Sequence, residues 1–271
     1  MLCRVRIVVC LAIAALFVGL LVDRTSAEEF RIDTEIFIGD EKEPAAEMLT
    51  IFAQGLVYDF QLKGPEEITM LDTVRGRYTL LDPARKVKCG LGVQDVLQQM
   101  LSLEAHAAES KDALFMFAAA PHFESKVEEA TENGQPIVRL SLTAKPMEYA
   151  VLARPSERPE AVHAFRYFAD QFARLNAMRP GNLPPGARLA LNKALAERKL
   201  LPLEITRTIL PANPLGKKLV VRSRHLVNWS LSGEDRKKID RAGTYLAEFA
   251  AVNFEEYRTP ATKPPVKTAR K

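Results

Sequence analysis

The chain has 271 residues, 47% of them hydrophobic and 27% charged, with 38 Lys and Arg against 34 Asp and Glu for a net charge of +4. So small a cationic excess gives no argument for a nucleic-acid partner. The only cysteines are Cys3, Cys10 and Cys89, too few and too early in the chain for a disulfide framework.

Arg4 and Arg6 precede an apolar run from Ile7 to Val22, and Asp23-Arg24 ends it before the small residues Thr25-Ser26-Ala27. This layout predicts a secretory signal peptide over 1–27, cleaved after Ala27, and a periplasmic or secreted protein. The run is shorter than the ~20 residues of a spanning helix, and no later segment is long and apolar enough to span. Cleavage leaves Cys89 as the lone thiol. About 244 residues then remain, enough for one large domain burying roughly 70–75% of its unfolded surface.

Phe30 to Ile38 alternates, with Phe30, Ile32, Ile36 and Ile38 on one face and Arg31, Asp33 and Glu35 on the other, which predicts a half-buried strand. Met48–Leu62 reads as two strands broken at Gln54-Gly55, and Gly64-Pro65 is a turn. Ile68 and Met70, the turn Asp72–Gly76, Tyr78 and Leu80, the turn at Asp82-Pro83 and Arg85–Cys89 complete a meander of about six antiparallel strands. Val93, Val96, Leu97, Met100 and Leu101 fall at helical spacing and predict a helix over 93–109, while Ala113–Ala120 is ambiguous. Asn133-Gly134 marks a hairpin of Phe123–Ala130 with Pro136–Ala144, followed by a strand over Met147–Ala153.

Ala161, Phe165, Phe168, Phe172 and Leu175 make an aromatic stripe on a helix over 158–178, read first as core packing. A helix over 186–198 follows, then strands over Leu203–Leu210 and Lys218–Leu231. Ser232 with Asp235 starts a last helix. The domain is expected over 28–258, with a basic, proline-rich, disordered tail over 259–271.

The chemistry is sparse. His106, His122, His163 and His225 stand apart and form no metal-binding pair. Neither a GxSxG elbow, a P-loop nor a GxGxxG loop is present, and the adjacent carboxylates Glu66-Glu67, Glu128-Glu129 and Glu255-Glu256 do not share a face of a strand. No catalytic residue, metal or cofactor is expected. Lys86 and Lys88 stand near Cys89, but a buried, inert thiol is the commoner outcome. Arg222 and Arg224, with Arg207 in the partner strand, form a candidate basic strip for a phosphate or carboxylate; a solvated outer face paired with nearby acids is the simpler reading.

GLVYDF (Gly55–Phe60), ITMLDTVRGRYTLLDP (Ile68–Pro83), the run Arg174–Glu197 and HLVNWSLS (His225–Ser232) together resemble a family of exported bacterial proteins of the planctomycete type. That resemblance implies export and brings no activity. The strand, the turn at Asp72 and Arg77–Leu81 are similar to the hairpin of the LolA-like periplasmic lipoprotein carriers, with Thr73 in place of proline and Ile68 and Met70 in place of aromatics. Such carriers are half-open antiparallel barrels whose concave face is covered by helices and holds acyl chains.

The expected fold is α+β, a curved antiparallel sheet with helices packed on its concave face. The leading expectation is a non-enzymatic envelope protein that binds a lipid or another amphiphile, lined by Ile68, Met70, Tyr78, Leu80, Phe165 and Phe168. A lipoprotein or another envelope component is the alternative partner. The rival readings are an interaction module whose 158–178 helix fills the hollow, and a hydrolase without a recognisable motif.

Overall fold

The computed structural model describes residues 29–259 except 212, 214 and 215. The signal peptide expected over 1–27 lies outside these residues, as does the tail beyond Thr259. Six strands come first, β1 (Phe30–Ile38), β2 (Ala46–Ala53), β3 (Leu56–Gln61), β4 (Ile68–Asp72), β5 (Arg77–Asp82) and β6 (Val87–Gly92). Helices α1 (Val93–Ala108) and α2 (Ala113–Ala119) lead to β7 (Glu124–Glu132), β8 (Gln135–Thr143) and β9 (Met147–Pro155). Helices α3 (Pro159–Ala177) and α4 (Gly186–Glu197) precede β10 (Leu200–Ile209) and β11 (Leu219–Asn228), and α5 (Gly233–Glu248), the short β12 (Ala250–Ala251) and α6 (Phe254–Arg258) close the chain.

All twelve strands belong to one open, curved sheet in the order β12-β6-β5-β4-β3-β2-β1-β11-β10-β9-β8-β7. The first meander runs down one half and β7–β11 down the other, and β1 joins the halves by pairing with both β2 and β11. Every pairing is antiparallel except β12 with β6. The local signals behave as the chemistry predicts. Asn133 and Gly134 both hold positive φ, 50° and 73°, as a type I′ hairpin requires. The ambiguous 113–120 segment is a helix because the Asp112 carboxylate accepts from the amides of Leu114 and Phe115. Helix α5 stops at Glu248. Phe249 is extended and caps α5, and the next two residues pair with β6.

Helices α1–α4 cover the inner face, in line with the expected α+β arrangement, and α5 lies alone on the outer one. Phe30, Phe52, Leu71, Tyr78 and Leu80 pack inward against α1 and α3. Leu140, Tyr149, Val151 and Ile205 pack inward against α4. On the outer face Leu49, Ile51, Phe60, Ile68, Met70 and Leu81 pack beneath Ala242 and Phe249. The seat of α5 is fixed at its start. Asp235 is almost wholly buried, closes a capping box with Ser232 and accepts from Arg31 Nη1 at 2.7 Å.

This layering corrects part of the expected ligand lining. Ile68 stands opposite Leu81 and Met70 opposite Thr79, so both face outward under α5. Tyr78 and Leu80 face inward, because side chains alternate along a strand and one residue of parity decides the face. Tyr78 is nevertheless core: its hydroxyl donates to the backbone carbonyl of Gln171 at 3.1 Å and to its Oε1 at 2.9 Å. Cys89 is buried in the same cluster, and burial pushes its thiol up, the opposite of activation by lysines.

Candidate functional site

The aromatic stripe of α3 does two things along its length. Ala161, Val162 and Leu175 complete the inner core. Phe165, Phe168 and Phe172 pack on the same core and also roof a cavity of about 650 Å³ between α3, the start of α4 and the inner face of β1 and the strands on either side of it. Phe168 makes an edge contact with Phe52 at 5.8 Å and a tilted one with Phe172 at 5.4 Å, which fixes the roof. Ile32, Ile36, Met48, Ile205 and Val221 give the floor its apolar portion.

A polar seam crosses that floor. On β3, Asp59 is 4% exposed and accepts from Thr50 Oγ1 at 2.6 Å. Burial, reinforced by the charge of Glu67, pushes its carboxyl up to about 7 in spite of that hydrogen bond. On β1 and β11, His225 Nδ1 is 3.1 Å from Thr34 Oγ1 and its Nε2 is 2.9 Å from Ser223 Oγ. Burial, reinforced by the charge of Arg188, holds the imidazole down at about 3, so it is neutral at any physiological pH. Further along, Arg207 on β10 stands opposite Tyr149 on β9, and both border the cavity. Burial raises the Tyr149 phenol against the pull of Arg188 and Arg207.

Arg188 enters from the helical side. Its Nε donates to Asn192 Oδ1 at 2.9 Å, and Asn192 Nδ2 donates to Asp170 Oδ1 at 2.8 Å. Burial, with the like charge of Arg207 as a lesser contribution, pulls this guanidinium below its ordinary value. The cations thus gather where β10 meets α4. Asp59 lies four strands away on β3, about 19 Å at the usual strand spacing.

Of the six residues expected to line a ligand, Phe165 and Phe168 border this cavity. Leu80 borders a second depression of about 570 Å³ near α6, where Arg85 donates to the carbonyls of Glu256, Tyr257 and Thr259. Ile68, Met70 and Tyr78 border neither. The basic strip is divided. Arg207 pairs with Val221 and shares its inward face, whereas Arg222 and Arg224 point outward. Those two share the Phe37 ring, at 4.8 and 5.1 Å, and the Glu204 carboxylate, at 3.9 and 3.4 Å.

Asp59, Tyr149 and Arg188 were not singled out by sequence, and His225 was weighed only as a metal ligand. A signal existed for two of them. Asp59 is the one acid inside the apolar strand LVYDF, and Arg188 interrupts the apolar face made by Ala187 and Leu191. Among the described residues no group of three or more His, Cys, Asp or Glu is placed to hold a metal ion, and no helix is long and apolar enough to cross a membrane.

The chain is an open-sheet α+β protein with a half-open cavity of mixed polarity on the inner face of its sheet. No protein-family model and no curated protein matches the chain. Among solved structures it is similar to PNGF-II in two crystal forms, each at 9% identity and a TM-score of 0.35 over 86% of this chain. The chain spans 32% of the length of PNGF-II. It is also similar to a LolA superfamily protein from Nitrosomonas europaea, at 6% identity and a TM-score of 0.24, over 77% of this chain and 89% of that one. At these values neither likeness carries an activity or a ligand to this chain.

Proposed function

We propose that this protein is a non-enzymatic binding protein of the cell envelope, exported by a signal peptide over 1–27, that holds an amphiphilic ligand between the sheet and α3. The observation that carries this reading is the cavity, about 650 Å³ beneath Phe165, Phe168 and Phe172 with a polar seam opposite. Its volume lies within the range of small-molecule sites, and such sites are mostly apolar with a few placed polar groups. An acyl chain under the phenyl rings would leave water, and a head over the seam would keep hydrogen bonds. The likeness to exported planctomycete-type proteins and the lipid or lipoprotein partner belong to the same proposal. No hydrolytic role is assigned to His225, whose two ring nitrogens are engaged by Thr34 and Ser223.

The purified protein is expected to take up a fluorescent fatty acid saturably and to release a native amphiphile into an organic extract read by mass spectrometry. Ala173 borders the cavity, so Ala173→Trp should abolish uptake while leaving the circular dichroism spectrum unchanged. A wild-type protein that takes up no probe and releases no amphiphile would instead be an interaction module with an idle interior.

A further inference from the structure

We propose that the head of the ligand is anionic, a carboxylate or a phosphate monoester, and that Arg188 and Arg207 are its receptor. The inference rests on the cavity reading above and concerns which end of the amphiphile the cavity selects. Both arginines border the same cavity, one from α4 and one from β10. Among the described residues neither lies within ion-pair distance of a carboxylate. Asp170 engages Arg166 at 3.6 Å, touches Arg188 only through Asn192, and favours the Arg188 charge from beyond ion-pair distance. Glu204, on the same strand as Arg207, faces outward to Arg222 and Arg224.

Arg188 and Arg207 are half-buried, and two cations of like sign in one cavity without a carboxylate in ion-pair reach disfavour each other. Elsewhere half-buried cations have acidic partners: Arg31 has Asp235 and Arg85 has Asp82. In the cavity a bound anion would supply the missing negative charge. The Arg188 guanidinium is also held in place for it. Asn192 is 2% exposed and fixes Nε of Arg188, so the Nη1 and Nη2 groups are left without a hydrogen bond to any described residue. Arg207 stands opposite Tyr149 in the sheet and borders the cavity from the other side. A guanidinium fork engages two oxygens of a carboxylate or phosphate at once, and a water-poor site strengthens that contact. The start of α4 adds no competing charge, having no acid in its first turn and no side-chain cap at Pro185.

Displacement of a bound neutral fluorophore from the full chain by hexadecanoate, hexadecyl phosphate and hexadecanol tests this. The three share an apolar chain and differ at the head. At least one anion should bind about tenfold to a hundredfold tighter than the alcohol, as expected for charge-assisted hydrogen bonds. Arg188→Met and Arg207→Met should each narrow the ratio of anion to hexadecanol affinity towards one, and a ratio unchanged in both variants overturns the two-arginine receptor. The stronger of the two anions identifies the head. Equal binding of all three to the wild-type protein overturns the anionic head while leaving the cavity reading intact, and needs no variant to fold. Binding of none of them, with no uptake of the fluorophore, overturns both.

Discussion

Gly186→Ala is expected to cost the protein about 3 kcal/mol, although alanine is ordinarily the better helix former. Gly186 opens α4 against the end of α2. A Cβ there would fall inside the van der Waals envelope of the Ala119 carbonyl oxygen and 2.8 Å from that of Ala118. Both obstacles are backbone, so no side chain can swing aside. Helix α4 would have to slide off α2, and overpacking of this kind costs about 1–3 kcal/mol, occasionally more. Arg188 follows two residues later, so the variant should also weaken anion binding in whatever fraction remains folded. The contrast is Gly243 in α5, exposed and with nothing within 4 Å of its added Cβ. There alanine should stabilise by roughly 0.5–1 kcal/mol, the ordinary propensity difference. Urea unfolding of the two variants beside the wild type reads both signs. A Gly186→Ala protein as stable as wild type would show that α2 and α4 are not in the described contact.

Asp59→Asn and His225→Gln should give stability–pH curves of opposite slope. Asp59 has its carboxyl raised from 3.8 to about 7, so between those values the folded protein holds a proton that the unfolded chain has lost. Its contribution is complete below about pH 4 and fades as pH rises towards 7. His225 has its imidazole lowered from 6.5 to about 3, so in that interval the unfolded chain holds the extra proton. Its contribution is complete above about pH 6.5 and is lost as pH falls towards 3. Each shift corresponds to about 4 kcal/mol. In the wild type the two nearly cancel between pH 4 and 6.5. Removing Asp59 leaves the His225 dependence, and stability should rise with pH. Removing His225 leaves that of Asp59, and stability should fall with pH. Denaturant midpoints from pH 4 to 7 decide it. Two variants whose curves run parallel to the wild type would mean that neither group is buried as described.

How much of this was legible in the sequence follows the range of the interactions. Local features were readable because their physics is local. The alternation of Phe30–Ile38 is the burial pattern of β1. Asn133-Gly134 turns the hairpin, and Ser232 with Asp235 caps α5. The pair that joins the two halves of the sheet was not readable: β1 meets β11 with Thr34 and His225 191 residues apart, and nothing near either announces the other. Facial assignments failed where they depended on register. Arg207 reads as a partner of Arg222 and Arg224, yet it pairs with Val221 and so points the other way. Ile68 and Met70 were offered to a ligand because α5, which covers them, also carries an ordinary amphipathic stripe that names no particular face.

The site was half legible for a related reason. Phe165 and Phe168 announce a broad apolar surface, but the sequence does not say whether a helix fills a hollow or roofs it. In a sheet this wide α3 does both. Arg188 and Asp59 acquire meaning only once the register of β2 and β3 and the seat of α4 bring them to one cavity. A lone charge inside an apolar segment was the available clue.

The central claim is that an anionic amphiphile lies between α3 and the sheet. Its most direct test is a crystal structure of the protein grown with hexadecanoate. The account predicts an acyl chain beneath Phe165, Phe168 and Phe172, with its carboxylate within hydrogen-bonding distance of Arg188 and Arg207. A cavity holding only water, or a carboxylate turned away from both arginines, would contradict it.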